Sequence, residues 1–124
     1  MTQKGQKIRN IGAWILQVLL GLQMLLAGQA KFTRPDSWAS QFEGWGYPDN
    51  FFYLIGGLEV VFAIAIFIPK LTTYASLALT IIMIGAVMTH ATHGENFVAP
   101  MVVALLQLLL AWLRKPNRMA LKHS

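Results

Sequence analysis

The sequence predicts an all-α membrane protein: an antiparallel four-transmembrane-helix bundle with a short interfacial helix in the first outer loop. Three observations carry that prediction. Of 124 residues, 56% are hydrophobic and only 12% are charged, about half the charged share of an ordinary soluble domain, and the mean hydropathy is +0.52. The apolar residues gather in four runs, each close to the ~20 residues that cross a bilayer. The basic residues sit at the ends of those runs, the pattern that orients membrane proteins. The net charge of +5 therefore reads as membrane orientation, and nucleic acid is not an expected partner. With no cysteine in the chain, disulfides, thiol exchange, iron–sulfur ligation and cysteine-based zinc sites are excluded.

Residues 1–10 are polar and basic (Lys4, Lys7, Arg9) and read as a cytoplasmic tail. The single transmembrane domain covers 11–113, with spans at about 11–30, 51–68, 71–89 and 97–113. A basic start followed by an apolar run also suits a secretory signal peptide, but the first run exceeds the 7–15 residues of a signal core. Residues 31–50 form the one long loop. In it Asp36 can cap a short helix through Glu43 that Gly44 ends. Trp38, Phe42, Trp45 and Tyr47 give that loop the aromatic character of a membrane interface, and it suits a peripheral anchor or a lid over a pocket.

The second span ends at Pro69-Lys70, a link so short that the third must run antiparallel beside it. His90–Asn96 form a second loop. Pro100 falls in the first turn of the fourth span, where a missing N–H does little harm. Residues 114–124 are a basic cytoplasmic tail. Lys4, Lys7, Arg9, Lys70, Arg114, Lys115, Arg118 and Lys122 fall on one side and only Lys31 and Arg34 on the other. Eight against two predicts that both termini face the cytoplasm.

Within the bilayer each span carries a stripe of small and polar residues at helical spacing. The stripes are Gln17, Gly21, Met24, Gly28 and Lys31; Phe52, Gly56, Glu59 and Ala63; Ser76, Thr80, Met83, Val87 and His90; and Pro100, Val103, Ala104, Gln107 and Ala111. Such residues pack helix on helix and find polar partners across the interface. Glu59 is the critical one, because a charge inside the bilayer costs at least ~2.5 kcal/mol. It lies about 12 Å along its helix at 1.5 Å per residue. Helical side chains lean toward the helix N-terminus, so Lys31 and His90 lean into the membrane and Glu59 leans out toward them. The spacing thus predicts a Lys31–Glu59 pair with His90 nearby. These three are the candidate ligand-binding or proton-relay residues, with Gln17, Thr80, Thr89 and Gln107 as secondary polar lining. The same pair also reads as a staple that fixes helix register. His90 and His93 are weak metal candidates with Glu95 the only further ligand, so no metal is expected. No facing histidine exists for a haem, and no catalytic residue is assigned.

These residues carry a resemblance. Gly28-Gln-Ala-Lys31-Phe32, the Pro35–Pro48 loop with Phe42 and Gly46, Gly56-Gly-Leu-Glu59 and Thr89-His90 resemble the DoxX/DoxD family of small four-helix bacterial membrane proteins, over about residues 10–113. The family includes a subunit of thiosulfate:quinone oxidoreductase, and its distant animal relatives look like receptor assembly factors. The resemblance implies a multi-pass protein of the bacterial inner membrane that works beside a redox-enzyme partner subunit, with a quinone as candidate non-covalent cofactor. A homo-oligomer suits it too. The sequence carries no identifiable catalytic domain or cofactor motif, so the chain is not expected to be catalytic alone and suits a membrane subunit of an oxidoreductase. A non-catalytic assembly factor is the alternative. A proton-coupled transporter is a further one, against which the first span offers only glutamines and no acid.

Overall fold

The computed structural model describes residues 3–114, and every regular element among them is an α-helix. They are α1 (Gln3–Thr33), α2 (Pro35–Gly44), α3 (Phe51–Ile66), α4 (Thr72–Thr92) and α5 (Val98–Leu113). Helix α1 begins well before the apolar run. The segment 3–10 is rich in Lys, Gln and Arg, good helix formers that outweigh the single Gly5, so it adds two polar turns. The basic tail 115–124 lies outside the described residues.

The expected cap of the short helix is displaced. Pro35 opens α2, its fixed φ and missing N–H costing nothing at that position, and Arg34 stands at the cap without a side-chain hydrogen bond. Asp36 is therefore a first-turn acid rather than the cap, where it favours the positive end of the helix dipole. Gly44 is the last helical residue rather than the stop; the chain turns at Gly46, whose φ of 87° suits glycine.

Hydrogen bonds between helices fix their directions. Gln17 of α1 donates to the Ile66 carbonyl at 2.7 Å and Lys31 reaches Glu59, so α1 and α3 run antiparallel. Gln17 also donates to Thr72 Oγ1 at 3.2 Å, which brings the start of α4 beside the end of α3. Thr73 donates to the Ala111 carbonyl at 3.1 Å, pairing the start of α4 with the end of α5. Arg114 then closes the circuit, donating from Nε to Gln17 Oε1 at 3.2 Å and from Nη1 to Asn10 Oδ1 at 2.7 Å. One end of the molecule thus holds the first turns of α1, the α3–α4 turn and the end of α5, and is called the terminal end below. Helix α2 and the 93–97 loop lie at the opposite, loop end.

Polar side chains are buried in the interior while many large apolar ones face outward. Gln17, Thr72, Ser76 and Gln107 are wholly buried, while Ile81, Leu26, Leu105 and Val61 are each 60% or more exposed. That reverses the order of a soluble protein and suits a lipid solvent. Helices α1 and α4 are long and apolar enough to cross a membrane. Helices α3 and α5 have 16 residues each, about 24 Å at 1.5 Å per residue.

The stripes on α1 and α3 are buried at every position. On α5, Ala104, Gln107 and Ala111 are buried. The α4 stripe divides: Ser76 and Thr80 are buried, but Met83, Val87 and His90 are half-exposed. Toward the loop end, Tyr47 and Trp45 reach α4 from the segment after α2, at Thr89 and His90. Gln107 is fully buried, yet neither amide atom has a partner among the described residues. Leaving a buried amide unmade costs about 1–3 kcal/mol. Gln107→Leu is therefore expected to raise the melting temperature in mild detergent by a few degrees, and a lower value would show that the amide is satisfied in the membrane protein.

Candidate functional site

The site is built at a close crossing of α1 and α3. Gly28 and Gly56 face each other there: a Cβ on Gly28 would stand 2.8 Å from the Gly56 carbonyl oxygen, and one on Gly56 would stand 2.8 Å from Lys31 Cβ. Two helices meet backbone to backbone only where both residues lack a side chain. One turn beyond each glycine, in its own chain direction, come Lys31 and Glu59. The close crossing thus presents the two long side chains to one another.

Lys31 Nζ lies 2.7 Å from Glu59 Oε1, and the two side chains are 6% and 3% exposed. At that distance the ammonium and the carboxylate oxygen form a charge-assisted contact. A pair withdrawn from water in this way needs a close partner to offset its desolvation, and each residue supplies it to the other. Lys31 has a second contact: its ammonium stands 4.1 Å from the centre of the Trp38 ring, a cation–π geometry. Trp38 belongs to α2, so the short helix lies over the ion pair.

Phe42 fastens α2 in place. It is buried, with ring centroids at 6.1 Å from Trp38, 5.3 Å from Trp45, 5.4 Å from Tyr47, 6.2 Å from Phe51 and 6.1 Å from Phe52. Phe52 sits on the Glu59 face of α3, two turns nearer the loop end. Phe42 and Phe52 also line a cleft of about 390 Å³ together with Tyr47, Tyr53 and Asp36.

His90 is not brought to this pair. Its Nδ1 lies 2.7 Å from Glu95 Oε1, and its ring meets Trp45 edge-on at 5.3 Å. Trp45 Nε1 donates to both Glu95 oxygens at 3.2 and 3.3 Å. The turn after α4 brings Glu95 back, its N–H bonding to the His90 carbonyl at 2.8 Å, so the carboxylate is captured locally. His90, Trp45 and Glu95 therefore form a separate cluster that ties the end of α2 to the α4–α5 loop. Tyr47 and Thr89 add a hydroxyl–hydroxyl bond beside it. Nothing in the local sequence marks this cluster except the i, i+5 spacing of His90 and Glu95.

Of the remaining candidates, all but Gln107 hold structural bonds. Gln17 joins α1, α3, α4 and Arg114 as described above. Thr80 and Thr89 donate back to the Ser76 and Gly85 carbonyls at 2.7 and 2.8 Å. His93 Nδ1 lies 2.8 Å from the Thr89 carbonyl oxygen. Among the described residues no group of three His, Asp or Glu could hold a metal ion.

A family model described as the DoxX-like family matches residues 15–113. No curated protein matches the chain, and no solved structure does. The matched range covers all of α2 to α5, most of α1 and both members of the buried ion pair. This chain belongs to the DoxX-like family.

Proposed function

We propose that the protein is a small integral membrane subunit whose four long helices cross the bacterial inner membrane, with Lys31 and Glu59 forming the polar end of a site for a quinone or another small amphiphile. The observation that carries this reading is the ion pair itself: two opposite charges, almost wholly buried and 2.7 Å apart, inside a bundle whose outer surface is apolar. Ionisable groups at such depth mark ligand, proton or ion paths by default. Supporting the proposed orientation, with the terminal end in the cytoplasm, eight of ten basic residues belong to that end and its flanking tail, the bias of cytoplasmic segments.

The residues suit a quinone. Lys31 is a donor with three N–H groups, of which one direction is taken by Glu59 and one by the Trp38 face, so a carbonyl oxygen could take the third. Glu59 is an acceptor able to hold a proton, and Trp38, Phe42 and Phe52 supply flat apolar faces. A bound quinone would contribute two-electron, two-proton redox chemistry, and with no cysteine in the sequence and no three-ligand metal set among the described residues the reading includes a redox-enzyme partner. The second reading, an assembly factor in which the pair only fixes register, is favoured by one fact: the charges sit one turn from the close Gly28–Gly56 crossing.

Native mass spectrometry of protein purified in mild detergent separates the two, run on wild type and Glu59→Gln. The amide keeps the shape and the acceptor oxygen while removing the charge. A quinone or similar amphiphile retained by wild type and lost from the folded variant supports the site. Wild type without any bound amphiphile, or a variant that retains it equally, sinks it.

A further inference from the structure

Among the described residues the terminal end carries basic side chains and no acidic one. The five acidic residues of the sequence are Asp36, Glu43, Asp49, Glu59 and Glu95, and all belong to the loop end or to the buried pair. Lys4, Lys7, Arg9, Lys70 and Arg114 stand at the terminal end. The sequence that follows adds Lys115, Arg118 and Lys122 and no Asp or Glu.

Two of these cations are organised. Along the seam between α1 and α5, the Arg9 guanidinium lies 5.5 Å from the centre of the Trp112 ring, and that of Arg114 lies 5.2 Å from the centre of the Trp14 ring. Each arginine thus crosses the seam to the other helix's tryptophan. Both are half-buried, while both tryptophans are more than 40% exposed, as befits rings at the level of lipid headgroups. Arg114 spends Nε on Gln17 and Nη1 on Asn10. Its Nη2 is buried and has no acceptor among the described residues. Burial pulls its pKa below the ordinary arginine value, with no anion to offset that effect. A guanidinium remains charged regardless, so its spare N–H groups call for an anionic oxygen.

We propose that the α1–α5 seam at the terminal end binds the phosphate of an anionic phospholipid, with Arg114 and Arg9 as its guanidinium donors and Trp14 and Trp112 as flanking rings. Guanidinium suits this ligand because its fork pairs with two phosphate oxygens at once. A diacyl phosphatidylglycerol presents that phosphate at the depth of the two tryptophans, with its chains along the exposed Leu and Ile of α1 and α5. A free phosphate offers the same oxygens without the apolar contact, and the experiment separates the two sources.

Delipidated protein would be placed in mixed micelles with phosphatidylglycerol, with phosphatidylcholine, or with inorganic phosphate at millimolar concentration, and the bound species counted by native mass spectrometry. Wild type is expected to retain phosphatidylglycerol in preference to phosphatidylcholine. Arg9→Gln should cut that preference about five-fold, the effect of one basic residue near an anionic surface. Among the described residues the Arg9 side chain makes a ring contact and no hydrogen bond, so the variant is expected to stay folded. Arg9→Lys should keep part of the preference, since charge survives and the fork does not. Equal retention of the two lipids, or an Arg9→Gln protein that discriminates like wild type, overturns the proposal. So does inorganic phosphate that displaces the lipid at equal concentration, which would make the free anion the ligand.

Discussion

Replacing Lys31 by Met is expected to destabilise the protein by about 3 kcal/mol or more, because it strands the Glu59 carboxylate in the bundle. Glu59→Met should act similarly by stranding the ammonium, which then keeps only the face of Trp38. The double replacement is expected to recover most of the loss, since a buried ion pair and a well-packed apolar pair of similar volume are often close in stability. Unfolding of the two single variants, the double variant and wild type in one mild detergent gives the coupling between the residues directly. A coupling near zero would mean that the pair is solvated rather than buried. The doubly substituted protein is informative beyond stability. It should fold and yet lose any retained amphiphile, whereas a pure register staple would be replaced without functional consequence.

A single added methyl at Gly28 is expected to have an effect of comparable size. Its nearest neighbours would be the Gly56 carbonyl oxygen at 2.8 Å, Val60 Cγ2 at 2.9 Å and Glu59 Cβ at 3.0 Å. The Val60 methyl can turn away, but the carbonyl is helix backbone and moves only if α3 moves. Overpacking of this kind costs about 1–3 kcal/mol, and Gly28→Val should exceed Gly28→Ala. Forcing α1 from α3 also lengthens the Lys31–Glu59 contact, so the stability loss should be accompanied by weaker ligand retention. Gly85→Ala provides the control. No atom outside its own helix lies within 4 Å of that site, so alanine should stabilise α4 by up to about 1 kcal/mol through helix propensity. Equal melting temperatures for Gly28→Ala and Gly85→Ala would show that the close crossing is absent.

The sequence by itself determined the elements and most of their faces. Apolar runs broken by Pro69-Lys70 and by the polar stretch before Val98 produced the long helices, because helix length and hydropathy are local properties, although α4 continues through His90 to Thr92 where a loop was expected from His90. The buried faces of α1 and α3 were legible at every position, since small and polar residues every three or four places in an apolar run have few other uses. The Lys31–Glu59 contact was legible too: each charge lies one turn from a glycine on its own helix, and two charges at matching depth in an apolar bundle have strong reason to meet.

Only the tertiary structure decided who else joins them. His90 shares a stripe and a depth with the pair, and periodicity places it there. A carboxylate five residues away in the following turn competes for it and wins, because a local contact closes a much shorter loop. Trp38 and Trp45 were indistinguishable as loop aromatics, yet one lies over Lys31 and the other ties α2 to Glu95. That division depends on the pose of α2, set by Phe42 among five other rings and by the turn at Gly46. The crossed arginine–tryptophan contacts on the α1–α5 seam bring together residues about 100 positions apart in the chain. Their pairing follows from helix register alone, which is fixed by the buried bonds of Gln17 and Thr73 and is written in no local stretch of the sequence.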